Sequence, residues 1–155
     1  MNNKYLSDFQ IIGSSVKSLK IKNDFIALEN GNNIKRKIDI SHYVVNIEKM
    51  EDGSILSGTI ILNIKLNISD KKRKYSLDMA IEGCFNAPAE KMGKEEFNNM
   101  LQVNGITSLY SIARGFIQST SSQTLAAGYV LLPMLNVVAY SKDLNQDGKQ
   151  SEQNS

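Results

Sequence analysis

The sequence predicts an α+β fold: a four-stranded antiparallel sheet, then a long helix, an apolar proline-containing loop and a short second helix. Two observations carry this reading. Apolar residues alternate with period two through residue 85, and their spacing turns helical after Pro88. Strands followed by helices, rather than interleaved with them, is the α+β order. A length of 155 residues with 41% hydrophobic side chains suits one domain, since single cores run about 100–200 residues. We read residues 1–144 as that domain. The tail 145–155 has no apolar residue and is expected to be disordered.

The first run, Phe9–Ile21, carries Phe9, Ile11, Val16, Leu19 and Ile21, with a break in phase at Gly13-Ser-Ser. In Ile34–Met50 the apolar positions are Ile34, Ile38 and Ile40, then Tyr43, Val45 and Ile47. A one-residue slip turns every later side chain to the other face, so a bulge is expected near Ser41-His42. Ile60–Ile68 is the clearest strand, with Ile60, Leu62, Ile64, Leu66 and Ile68 on one face. Tyr75, Leu77, Met79, Ile81 and Phe85 repeat the pattern after the polar connection Ser69-Asp-Lys-Lys. Periodicity leaves the order of the strands open.

Lys94–Leu101 reads as one or two short helical turns. From Gly105 to Ala127 an apolar stripe of Ile106, Leu109, Tyr110, Ala113, Phe116, Ile117 and Thr120 predicts a long helix. Thr107, Ser108, Ser111, Arg114, Gln118 and Ser121 fall on its outer side, and Gly128 is read as its C-terminal stop. Tyr129-Val-Leu-Leu-Pro-Met-Leu is too apolar for an ordinary loop and too short for a core helix. Asn136 is placed to cap a final helix from Val137 to about Leu144. One helix cannot cover both faces of such a sheet, so the spare apolar surface implies self-assembly or an apolar partner.

Several chemistries are disfavoured. His42 is the only histidine and Cys84 the only cysteine, so a multi-histidine or thiolate-rich metal site, a histidine triad with its relatives, and a disulfide framework do not fit one chain. No phosphate loop or dinucleotide fingerprint occurs. Asp78 and Glu82 lie about 13 Å apart by strand rise, too far for a carboxylate pair. Lys35-Arg-Lys and Lys71-Lys-Arg-Lys are basic clusters without interleaved aromatics, and the net charge is only +2, so nucleic acid is not the expected partner. No catalytic residues, cofactor or metal are expected, and the chain is not read as an enzyme. The longest apolar run, Tyr129-Val-Leu-Leu, stops at Pro133, far short of the ~20 residues that span a bilayer. The first eight residues do not form a secretory signal. A cytoplasmic protein without stable membrane insertion is expected.

Three pieces in order resemble the SecB family of export chaperones. They are Ile81-Glu-Gly-Cys-Phe, which is similar to the family's strand end in Gly-x-Phe; Asn104-Gly-Ile-Thr-Ser-Leu-Tyr-Ser-Ile-Ala-Arg-Gly-Phe-Ile, which is similar to its Leu-Phe-Pro-Tyr-Ala-Arg helix start; and Gly128–Tyr140, which resembles its apolar proline-containing loop and second helix. Ser111 stands where the family has proline. The resemblance implies a homotetramer, a dimer of dimers, that holds unfolded precursors or other non-native polypeptides in apolar surface grooves for the Sec pathway. Candidate groove residues are Tyr43, Val45 and Ile47 of the second strand, Tyr129, Val130, Leu131, Leu132, Met134 and Leu135 of the loop, and Val137 and Tyr140 of the last helix. Ordinary intersubunit core is the competing use of these residues. The resemblance also implies contact with the SecA motor, through an acidic sheet and a tail motif. This sheet half instead has 13 basic and 10 acidic residues, which does not match that acidic contact; the alternative reading is a dedicated chaperone of a specific partner such as an antitoxin, not coupled to SecA.

Overall fold

A computed structural model of the chain describes residues 6–28 and 33–142. The expected tail 145–155 and the expected end of the last helix at Leu144 lie outside these residues. Four long strands form one antiparallel sheet: β1 (Gln10–Asn23), β2 (Lys35–Lys49), β3 (Ile55–Ser69) and β4 (Lys74–Pro88). Their spatial order is β1-β4-β3-β2. Helix α1 (Lys94–Met100) leads through a π-turn at Leu101–Gly105 directly into α2 (Ile106–Thr124). The expected pair of short turns is thus continuous with the long helix, because Gly105 keeps helical dihedrals, φ −61° and ψ −49°.

The alternation read from the sequence sets the two faces of the sheet. Ile60, Leu62, Ile64 and Leu66 of β3 and Leu77, Met79, Ile81 and Phe85 of β4 are buried beneath the helices. At 25 cal/mol per Å² of apolar area, each such side chain contributes about 1.5–3 kcal/mol. Gly83 brings the helix close: a Cβ there would lie 2.6 Å from Leu109 Cδ2. Phe9 closes one end of this layer by stacking on Phe85, with ring centroids 5.1 Å apart.

One phase change falls at the expected place in β1 and the other is displaced in β2. In β1 the register shifts twice, between Ile11 and Gly13 and between Val16 and Ser18. In β2 the shift lies between Val44 and Asn46, not at Ser41-His42. His42 and Val44 therefore continue the inner face set by Ile38 and Ile40, and Val45 is the extra residue of the bulge. A small polar ring and a valine hid the true phase, since histidine fits either face of a strand.

Two hairpin turns are held by aspartates. The Asp70 carboxylate accepts the backbone N–H of Lys72 and Arg73 at 3.1 and 2.8 Å. Asp52 Oδ1 accepts the Ser54 N–H at 2.9 Å and its hydroxyl at 2.7 Å. These bonds favour the ionised form, so both carboxyls titrate below their ordinary value, Asp70 chiefly through the Arg73 N–H and Asp52 chiefly through the Ser54 N–H.

Helix α2 turns Ile106, Leu109, Tyr110, Ala113 and Ile117 inward as the stripe predicts. Two assignments change. Phe116 is only half-buried at the margin of the core, and Ser121, read as an outer residue, is fully buried. The helix also ends at Thr124 rather than Ala127, where Leu125 turns extended with φ −80° and ψ 152°.

Candidate functional site

The chain after α2 doubles back along the helix, tied first by a short backbone bridge to Ile26–Leu28 and then, beyond Gly128, by side chains of α2. Ala126 N–H donates to Ile26 O and Leu28 N–H to Ala127 O, both at 2.8 Å. Gly128 then turns at φ +81°, with Leu28 O only 2.8 Å from where a Cβ would stand; glycine is required on both counts. Beyond it, Val130 N–H donates to Ser121 Oγ at 2.8 Å. Arg114 Nε donates to Leu132 O at 2.8 Å and Tyr110 Oη to Pro133 O at 2.7 Å. Burial of the Tyr110 phenol pushes its pKa up, which keeps the O–H as a donor. Ser121, Arg114 and Tyr110 descend the helix while the segment climbs past them, so the two run antiparallel.

This anchoring imposes an alternation on an almost wholly apolar sequence. Val130 and Leu132 point into the core at 2% and 0% exposure, whereas Tyr129, Leu131 and Met134 are exposed at 53%, 51% and 80%. Leu135 is half-buried against the core. Asn136 Oδ1 then accepts the Ala139 N–H at 3.1 Å, the cap expected from the sequence, and residues 137–142 are helical. Val137 is buried and Val138 is exposed.

Tyr140 fixes that last helix over β2. Its hydroxyl lies 3.0 Å from His42 Nδ1, and His42 Nε2 lies 2.5 Å from Gln102 Oε1 in the π-turn. The single histidine thus ties strand, π-turn and last helix together. Cys84 has Thr59 Oγ1 3.5 Å from its sulfur, a quiet setting for a half-buried thiol. Among the described residues no group of three potential metal ligands occurs, and no helix is long and apolar enough to cross a membrane.

The eleven candidate groove residues therefore do not form one surface. Tyr129, Leu131 and Met134 make an exposed apolar edge. Val130, Leu132 and Val137 are core, a correction; the anchoring bonds turn the first two inward, and Val137 is buried at the start of the last helix. Leu135 and Tyr140 pack against the core from the side. Ile47 pairs with Gly58 on the inner face and also packs on the core. Tyr43 pairs with Ile61, which pairs with Glu82 on the outer face of the sheet. It is exposed there, as is Val45 in the bulge, with the sheet between them and the Tyr129–Met134 edge.

The sequence reading missed Val138, half exposed beside the edge, and Ile112, 41% exposed on α2. At ~100° per residue, Ile112 faces about 200° away from Tyr110 and Arg114, the segment's anchors. It belongs to the far side of the helix, among Thr107, Ser108 and Ser111. An isoleucine off the stripe in a serine-rich helix face was the available signal.

No protein-family model and no curated relative matches the sequence. Solved structures do resemble it. The SecB-like chaperone Rv1957 of Mycobacterium tuberculosis, in complex with a ChAD peptide from the HigA1 antitoxin, superposes with a TM-score of 0.63 at 14% identity, over 82% of this chain and 90% of that one. A protein of unknown function from Streptococcus agalactiae superposes with a TM-score of 0.48 at 12% identity, over 81% and 97%. The four-stranded antiparallel sheet followed by a long and a short helix is the SecB-like fold.

Proposed function

We propose that this chain is a SecB-like molecular chaperone that binds unfolded or non-native polypeptides along the edge formed by Tyr129, Leu131 and Met134, with Val138 beside it. The observation that carries the reading is the 80% exposure of Met134 next to half-exposed Leu131 and Tyr129, in a segment whose inner side is already committed to the core. Apolar burial has no directional demand, so such an edge accepts many sequences. The thioether of Met134 adapts to irregular partners, and the Tyr129 ring brings a large apolar face with a polar tip.

The proposal includes a homotetramer, a dimer of dimers, in the cytoplasm. Ile11, Val16 and Leu19, on the helix side of edge strand β1, and Ile112 on the far side of α2 remain 37–41% exposed. These are apolar positions that one subunit leaves uncovered. Light scattering at micromolar concentration is expected to give four times the 17.2 kDa chain mass; a monomer across that range contradicts the assembly. We further read the chain as a binding protein and not an enzyme. Its one histidine is engaged on both ring nitrogens, and Cys84 faces a hydroxyl rather than a base.

Two client ranges are distinguishable. A general holdase for export precursors accepts many unrelated sequences, and a dedicated chaperone accepts one. The antitoxin peptide held by the mycobacterial protein favours the second, as does a sheet half with more basic than acidic residues, which does not suit the acidic contact with SecA that the resemblance implies. Affinities for a panel of unrelated permanently unfolded proteins test this. Comparable binding across the panel supports the general chaperone, tight binding of one client over weak binding of the rest supports the dedicated one, and binding of none overturns the client-binding reading.

A further inference from the structure

The two basic clusters of the sequence meet on the outer face of the sheet. Strand pairing builds cross-strand rows there, at the end that holds the β3–β4 turn. One row runs Lys20, Asp78, Lys65, Asp39; the next runs Lys22, Ser76, Asn67, Lys37; the last runs Lys74, Ser69, Lys35. The first row is balanced, with Lys65 Nζ 3.7 Å from Asp78. The other two rows carry four lysines, and one carboxylate borders them: Asp24, whose Oδ2 accepts the Lys74 backbone N–H at 3.1 Å. Lys37 pairs with Asp39 at 3.1 Å, whereas Lys20, Lys22, Lys35 and Lys74 have no ion-pair partner among the described residues. Short polar side chains, Ser76, Asn67 and Ser69, form the floor between them, and a hollow of about 380 Å³ opens beside Lys22, Asp24 and Lys74 over Asn67, Ser69 and Ser76.

We propose that this lysine-walled platform docks an acidic polypeptide segment in extended form, lying along the strands. The spacing matches such an occupant. Successive rows are two residues apart, about 6.8 Å along a strand, and alternate side chains of an extended peptide recur at the same interval. Carboxylates at every second position therefore meet one lysine row after another, with hydroxyl and amide groups beneath them as donors. No row carries an aromatic side chain on which a nucleic-acid base would stack. The platform is on the opposite face of the sheet from Tyr129, Leu131 and Met134, so it is a second surface, independent of the client edge.

The test uses the full chain and fluorescence anisotropy with three labelled probes: a ten-residue peptide of alternating glutamate and threonine, its lysine–threonine counterpart, and a single-stranded oligonucleotide of the same charge as the acidic peptide. The acidic peptide is expected to bind best, with affinity that falls as salt rises. The combined substitutions Lys22→Glu, Lys35→Glu and Lys74→Glu are expected to weaken it at least tenfold, and the neutral Lys→Gln set less. Lys94→Glu at the other end of the molecule and Met134→Asp at the client edge are expected to leave it unchanged. If the reversed set does not fold, the exposed Lys→Gln set decides alone, with loss of binding supporting the platform and full retention refuting it. Tighter binding of the oligonucleotide, acidic-peptide binding insensitive to both lysine sets, or low-salt self-association lost in the variants without peptide binding would each overturn the proposal.

Discussion

Strand β3 and the return segment after Gly128 are both extended chain with an inside and an outside, yet they dispose of apolar residues differently. In β3, Ile60, Leu62, Ile64 and Leu66 are buried, and the outward positions Asn63, Lys65 and Asn67 are polar, with the one outward isoleucine among them, Ile61, covered to 8% exposure. In the return segment Val130 and Leu132 are buried just as deeply, but the outward positions are Tyr129, Leu131 and Met134. The backbone support differs too. β3 is bonded to strands on both sides, whereas the segment hangs on three side chains of α2. Where the outer side is polar the chain is satisfied with water. Where it is apolar, surface is left over for a partner.

The sharpest way to break this comparison is to treat the two sides of the segment alike. Leu132 has no exposure, so Leu132→Asp buries an unpaired carboxylate and is expected to cost about 3–5 kcal/mol or more. Chemical denaturation is expected to find the variant largely unfolded; near-native stability would mean the segment peels off α2. Next in size, Ser121→Ala removes the acceptor for Val130 N–H in a buried site. A loss of about 1–3 kcal/mol is expected, accompanied by faster amide exchange at Val130 than anywhere in β3. An unchanged exchange rate there would show that the hydroxyl is not what holds the segment.

A smaller effect comes from pH, and it separates the sheet from the segment. The Asp70 and Asp52 carboxyls titrate lower in the folded chain than in the unfolded one. Their contribution is therefore complete above the ordinary carboxylate value of about 3.9 and is lost as pH falls through the lowered folded values. Hydrogen exchange between pH 5 and pH 2 is expected to loosen the two hairpin turns before the return segment, whose anchors carry no carboxylate. Loosening of the segment first would contradict the anchoring described.

This contrast also explains what the sequence made legible. Period-two alternation located all four strands, because one polar face marks the phase, and the helical stripe located α2. It failed where the marker was ambiguous. His42 and Val44 suit either face, so the β2 bulge was read three residues early. In Tyr129–Leu135 both faces are apolar, so nothing in the composition distinguishes Leu132 from Leu131. That distinction is made by Ser121, Arg114 and Tyr110, whose bonds to Val130, Leu132 and Pro133 span 9 to 23 residues of sequence. Strand order and the separation of Tyr43 from Met134 by the sheet are likewise long-range facts.

The central claim is that the outward side of this segment binds and the inward side folds. Met134→Asp, paired with measurement of affinity for a permanently unfolded protein and of the thermal melt, tests it most directly. A carboxylate at an 80% exposed position stays hydrated in the free protein, so stability is expected to change by no more than about 0.5 kcal/mol. Desolvating that charge against an apolar client is penalised by at least about 1.4 kcal/mol, so affinity is expected to fall tenfold or more. Unchanged affinity, or a loss of stability in step with the loss of binding, would contradict it.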